Sequence, residues 1–132
     1  MDSKYKLGIT ELDSQHEEIE TQLIVLQQAL QANERRDSLP RLLESLCEKL
    51  KFHFYAEESI MQVFAYPEFE EHKASHLRIL RSVDVLKDGK LTDEDIKILK
   101  EQPMQLFFEQ ILSQDMRFAA FIQRNKERLG IQ

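Results

Sequence analysis

Apolar residues recur every three or four positions through four stretches of this chain, the period of an amphipathic α-helix. The first stretch carries Leu12, Ile19, Leu23, Leu26 and Leu30. It follows an N-terminal arm expected to reach about Leu12. Asp13 or Ser14 is expected to cap the helix, with Glu17 and Glu18 favouring its dipole. Its end is expected near Asn33–Arg36. A second helix opens at Asp37 or Ser38 with Pro40 in its first turn. Its inward stripe reads Leu43, Leu46, Leu50, His53, Glu57, Ile60, Phe64, and Tyr66-Pro67 should stop it. A third starts near Phe69, with the stripe Phe69, His72, His76, Ile79 or Leu80, Val83, Leu86, and ends at Asp88-Gly89. Thr92 and Asp95 form a capping-box-like start for the last segment. That segment runs to Leu129-Gly130, and Pro103 should kink it or split off a short leading helix.

Four such helices with short connections predict an all-α fold, an up-down-up-down antiparallel four-helix bundle with an N-terminal arm. The 132 residues make one domain, with no internal repeat or low-complexity tract. Only three Gly and three Pro occur, too few for a β-sandwich or barrel. Glycine-rich phosphate loops are absent. A net charge of −6 without a basic face argues against nucleic acid as a partner. No stretch of about 18 apolar residues suggests a membrane span, and the opening residues have no apolar leader-like run. One cysteine, Cys47, fits a reducing compartment, so a cytoplasmic protein is expected, with a monomer favoured. Cys47 itself is expected to be inert.

The histidines change the picture. All four, His16, His53, His72 and His76, fall on predicted inward stripes. His53 and Glu57 are one turn apart in H-F-Y-A-E, and His72 and His76 one turn apart in H-K-A-S-H. Helix rise places His16 and His53 within about one turn of the same depth, and Glu57 and His72 fold back around a tight connection. A lone histidine on an apolar face is ordinarily a satisfied core residue. Four with an acid at one depth need a common partner, because each unpaired buried polar group costs roughly 1–3 kcal/mol. Imidazoles and carboxylates inside a helical bundle are the ligand types of a dinuclear metal site.

The order of these residues, with the opening ITELDSQHEEI and the later LFFEQILSQDMRFAAFI, resembles the hemerythrin family, in particular the bacterial hemerythrins. The resemblance covers nearly the whole chain. It implies two iron ions bridged by carboxylates, with an oxo or hydroxo bridge, binding dioxygen or a similar small ligand reversibly. His16 and His53 would hold the open iron, His72 and His76 the other, and Glu57 and Asp115 would bridge both. Asp115 then falls at the bridging carboxylate, Gln110 at the family's fifth histidine and Leu106 where Trp is common. A second register would put Asp115 at the histidine and Ala120 at the carboxylate. The first is preferred because it keeps two bridges, without which two dications repel strongly.

Gln110 and Asp115 lie five apart, so in a regular helix their directions differ by about 140°. A local π-bulge would bring them together. Gln110 is a weak candidate ligand, poorer than imidazole. Phe54, Ile60, Met61, Phe107 and Ile111, with Phe108 and Phe118, are candidates to wall the site. Tyr55 and Tyr66 stay open between hydrogen-bond donors and surface residues. The resemblance implies an oxygen-binding module for transport, storage or sensing rather than a catalyst. A di-iron peroxidase or oxidase using an open position near Gln110, and a drifted regulatory bundle with weak metal binding, are the alternatives.

Overall fold

The computed structural model describes residues 1–32, 38–87 and 91–128. The helix ends expected at Asn33–Arg36, at Asp88-Gly89 and at Leu129-Gly130, and the alternative cap Asp37, lie outside the described residues. The helices are α1 (Thr10–Gln31), α2 (Leu39–Val63), α3 (Phe69–Lys87), α4 (Asp93–Gln110) and α5 (Met116–Arg128). A π-helical turn, Ile111–Asp115, joins α4 to α5, so these form one continuous fourth rod. Helix α1 packs on α2 and α4, and α3 packs on α2 and α4. Residues early in α1 meet residues late in α2, and late α2 meets early α3. The result is the expected antiparallel four-helix bundle. Among the described residues there is no strand, and no helix is long and apolar enough to cross a membrane.

The stripes face inward as predicted, except that Ile60 and Phe64 at the end of the α2 stripe are only half-buried. Leu12, His16, Ile19, Leu23, Leu26 and Leu30 are buried on α1, and Leu43, Leu46, Leu50, His53 and Glu57 on α2. On α3 the buried positions include His72, His76, Ile79 and Val83, while Phe69, Leu80 and Leu86 are half-buried.

Several boundaries differ from expectation. Helix α1 starts at Thr10, so neither Asp13 nor Ser14 is its cap. Asp13 sits in the first turn, where it suits the dipole. Its carboxylate also accepts the backbone N–H groups of Leu7 at 2.7 Å and Gly8 at 3.1 Å, tying down the arm. The chain reverses there through Gly8 at φ 85°, which a side chain would disfavour. Ser38 stands at the start of α2 but makes no side-chain cap bond.

Helix α2 stops at Val63, before Tyr66-Pro67. Ala65 takes a left-handed φ of 52°, and the Tyr66 N–H reaches back to the Met61 carbonyl at 2.9 Å. That backbone cap ends the helix, and Pro67 follows as a second barrier. At the start of α4, Thr92 accepts from the Asp95 N–H at 3.1 Å and Asp95 accepts from the Thr92 N–H at 2.9 Å, the predicted capping box. Pro103 does not divide the helix: α4 runs through it. In the preceding turn the Lys100 carbonyl accepts from Gln27 Nε2 at 3.4 Å, a tie between α1 and α4 beside the proline.

Candidate metal centre

Each helix delivers its polar residues to one depth of the bundle. His16 comes from α1, His53 and Glu57 from α2, and His72 and His76 from α3. Asp115 comes from the π turn, where the Met116 N–H bonds to the Ile111 carbonyl, five residues back. The widened turn brings Asp115 onto the face that carries Gln110, as the spacing required. All six are sealed from solvent, none more than 1% exposed.

The Nε2 atoms of the four imidazoles converge. His16 Nε2 stands 2.9 Å from His53 Nε2 and 3.3 Å from Asp115 Oδ2. His53 Nε2 is 3.4 Å from Glu57 Oε2. His72 Nε2 lies 2.6 Å from Glu57 Oε1 and 2.8 Å from Asp115 Oδ1. His76 Nε2 lies 3.1 Å from Glu57 Oε1. Two groups of four result, His16, His53, Glu57 and Asp115, and His72, His76, Glu57 and Asp115. The two carboxylates are common to both.

Proton accounting shows what the cluster lacks. A neutral imidazole has one N–H. His53 uses its Nδ1–H on Gln15 Oε1 at 2.7 Å, and His76 uses its Nδ1–H on Glu58 Oε2 at 2.8 Å. Their Nε2 lone pairs then face other lone pairs. His72 Nε2 has at most one proton for two carboxylate oxygens. Among the described residues, His16 Nδ1, His72 Nδ1 and Glu57 Oε2 have no hydrogen-bond partner. Positive charge at the centre resolves the conflict, supplied by protons or by metal ions. In the metal-free state burial pushes His72 down, but hydrogen bonds to Asp115 and Glu57 prevail and raise it to about 9. His76 is raised in the same way, with burial opposed by Glu57 and Glu58. Burial would push the Glu57 carboxyl up, yet the imidazoles of His53, His72 and His76 around it hold it well below the usual range.

The donor set fits metal ions. Donors about 2.1 Å from a metal, at right angles to one another, stand about 3 Å apart. The separations here run from 2.6 to 3.4 Å. The outer contacts of His53 and His76 are those that fix a ligand's tautomer with Nε2 left bare.

Aromatic rings close the site. Phe54 stacks on His76 with centroids 3.9 Å apart, and Phe107 meets His16 edge-on at 5.6 Å. Phe118 meets His72 edge-on at 6.2 Å. Met61 and Ile111 are fully buried in the core. Ile60 and Phe108 are only partly buried, packed against the outside of the core. Ile60 is half-buried and lines a surface groove with Gly8, Ile9 and Phe64, because it lies off the buried stripe continued by Met61. Phe108 packs on Tyr5, 4.4 Å between centroids, and so anchors the arm. Tyr55 is exposed and Cys47 buried. Tyr66 is buried near His72, but its hydroxyl donates to Glu68 at 3.0 Å. Burial and that acidic neighbour raise its pKa to about 12.

Gln110 is buried beside Asp115, while Ala120 is exposed. The amide oxygen of Gln110 accepts from the Ser75 hydroxyl, and its Nε2 donates to Asp115 Oδ1 at 3.3 Å. Three supporting residues went unread in the sequence: Gln15, Glu58 and Ser75. Each directly precedes or follows a donor in the chain, and that adjacency is the one signal that pointed to them.

No curated protein and no solved structure matches the chain. The family model described as Hemerythrin HHE cation binding domain does match, over residues 7–122, and spans the arm's clamp, all six donors and the π turn. The chain therefore belongs to the hemerythrin HHE cation-binding domain family.

Proposed function

We propose that the protein holds two iron ions at this centre and binds dioxygen reversibly there. The observation that supports it is the form of the donor set, two groups of four with Glu57 and Asp115 in both. His16 and His53 would hold one ion and His72 and His76 the other, with the two carboxylates shared. A ferrous pair, when bound, supplies the electrons for reversible capture of dioxygen. The chain's own residues set the conditions. Glu57 and Asp115 offset the mutual repulsion of two cations that would otherwise be unfavourable at such close range. Gln15 and Glu58 hold the His53 and His76 rings so that Nε2 faces inward. Phe54, Phe107 and Phe118 keep bulk water and its protons away, which favours release of dioxygen unchanged over its reduction.

The test is metal content with spectroscopy. The iron-loaded, reduced protein should hold about two irons per chain, a number set by the two donor groups. Admitting air should produce a visible ligand-to-iron absorption band that disappears when dioxygen is removed. One iron per chain, or a band that never reverses, would contradict the proposal.

A further inference from the structure

Gln110 is buried at the edge of the centre, yet both ends of its amide are engaged. Ser75 donates to its oxygen, and its nitrogen donates to Asp115. Turning the amide over would press Oε1 against a carboxylate oxygen, so Asp115 dictates the orientation. The nitrogen that faces the centre has no lone pair to give a metal. Both groups therefore have the same composition: two imidazoles and the two shared carboxylates. Four protein donors, with a fifth place taken by the oxo or hydroxo bridge, would leave one position open on an ion that accepts six. On the far side of Gln110 lies a surface groove of about 290 Å³, lined by Ser75, Arg78, Glu109, Gln110, Ser113 and Gln114 among others, so that one cation and one carboxylate flank it. The bonded pair Ser75 and Gln110 thus stands between this groove and the His72/His76 side. Two dications against two carboxylates leave net positive charge, which favours anions over neutral ligands.

We infer that Gln110 is a positioning residue for Asp115 and not a metal ligand. The His72/His76 side then takes a small anion of its own, arriving along the Ser75–Gln110 groove, in addition to one on the His16/His53 side. This rests on the two-iron reading above.

The experiment counts iron and then azide. Air-oxidised, iron-loaded protein is titrated with azide while its charge-transfer absorption is followed, for the wild type, Gln110→His and Gln110→Ala. The wild type should bind about two azides per iron pair, one for each four-donor group. Gln110→His, with an imidazole to fill the place, should bind about half as many. Gln110→Ala removes the amide that holds Asp115 and should raise the azide concentration at half-saturation by about tenfold, and unchanged affinity would overturn the positioning role. One azide per iron pair in the wild type overturns the inference while leaving the two-iron reading intact, and does so even if a variant fails to fold. Equal azide numbers in the wild type and Gln110→His also overturn it. Fewer than two irons per chain in the wild type overturns both readings together.

Discussion

Stripping the metal should leave a folded protein whose stability falls as pH rises from about 6 to about 9.5. The group responsible is His72, whose Nε2 lies between Glu57 and Asp115. Its pKa in the folded chain is about 9, against a usual 6.5. A raised folded pKa stabilises the protein fully below the unfolded value and loses that contribution as pH climbs through the folded one. The window is therefore 6.5 to about 9. At about 1.4 kcal/mol per pKa unit, the contribution is about 3 kcal/mol. His76 is shifted in the same direction, but it shares Glu57 with His72, so the two contributions do not simply add. Glu57 is held well below this window, and the contribution of Tyr66 is lost only above it, between 10 and about 12.

Urea unfolding followed by circular dichroism, on chelator-treated protein at the two ends of the window, measures the effect directly. The iron-loaded protein should show the opposite slope, because protons compete with metal for the same imidazole nitrogens. His72→Gln should flatten the metal-free curve. Equal metal-free stability at both pH values, within about 0.5 kcal/mol, would refute the idea that protons stand in for cations in this cluster.

Glu57→Gln removes a carboxylate shared by both donor groups, so iron per chain should fall for both positions together, as elemental analysis would show. Glu58→Gln weakens the orienting acceptor of His76 and should lower metal affinity by about 10–100-fold in a chelator competition. Ala65→Gly relieves a left-handed backbone at the end of α2 and should raise stability by about 0.5–1 kcal/mol in urea unfolding, strain relief outweighing the added chain entropy.

The bundle and its polar layer were legible because both are periodic. Spacing alone set His53 with Glu57 and His72 with His76 on inward faces, and helix rise set the common depth. The π turn was legible too, since Gln110 and Asp115 share a face only if the helix widens between them. What escaped depends on contacts between elements. Asp13 looks like a helix cap locally, yet the helix begins before it and its carboxylate serves the N–H groups of Leu7 and Gly8. Glu58 and Ser75 become partners of His76 and Gln110 through the register of α2 on α3 and of α3 on α4, which no single stripe encodes. Ile60 and Phe108 are apolar near the site in sequence, but the arm and its groove claim them instead.

The two halves of the bundle divide the work of folding and of binding. Late α1, early α2 and early α4 carry Leu26, Leu30, Leu39, Leu43, Leu46 and Leu99, all but fully buried. Each such side chain contributes roughly 1.5–3 kcal/mol on burial. No charged donor lies among them, so this half stabilises the fold whether or not a cation is present. The other half holds four imidazoles and two carboxylates that cannot all be satisfied by one another. Its protons are the provisional solution, and the raised pKa of His72 measures how strongly the acids demand positive charge. A metal ion that displaces such a proton must overcome the imidazolium–carboxylate pairing first. Metal binding should therefore tighten steeply with pH up to about 9 and then level off, because beyond that point no proton remains on His72 to be displaced.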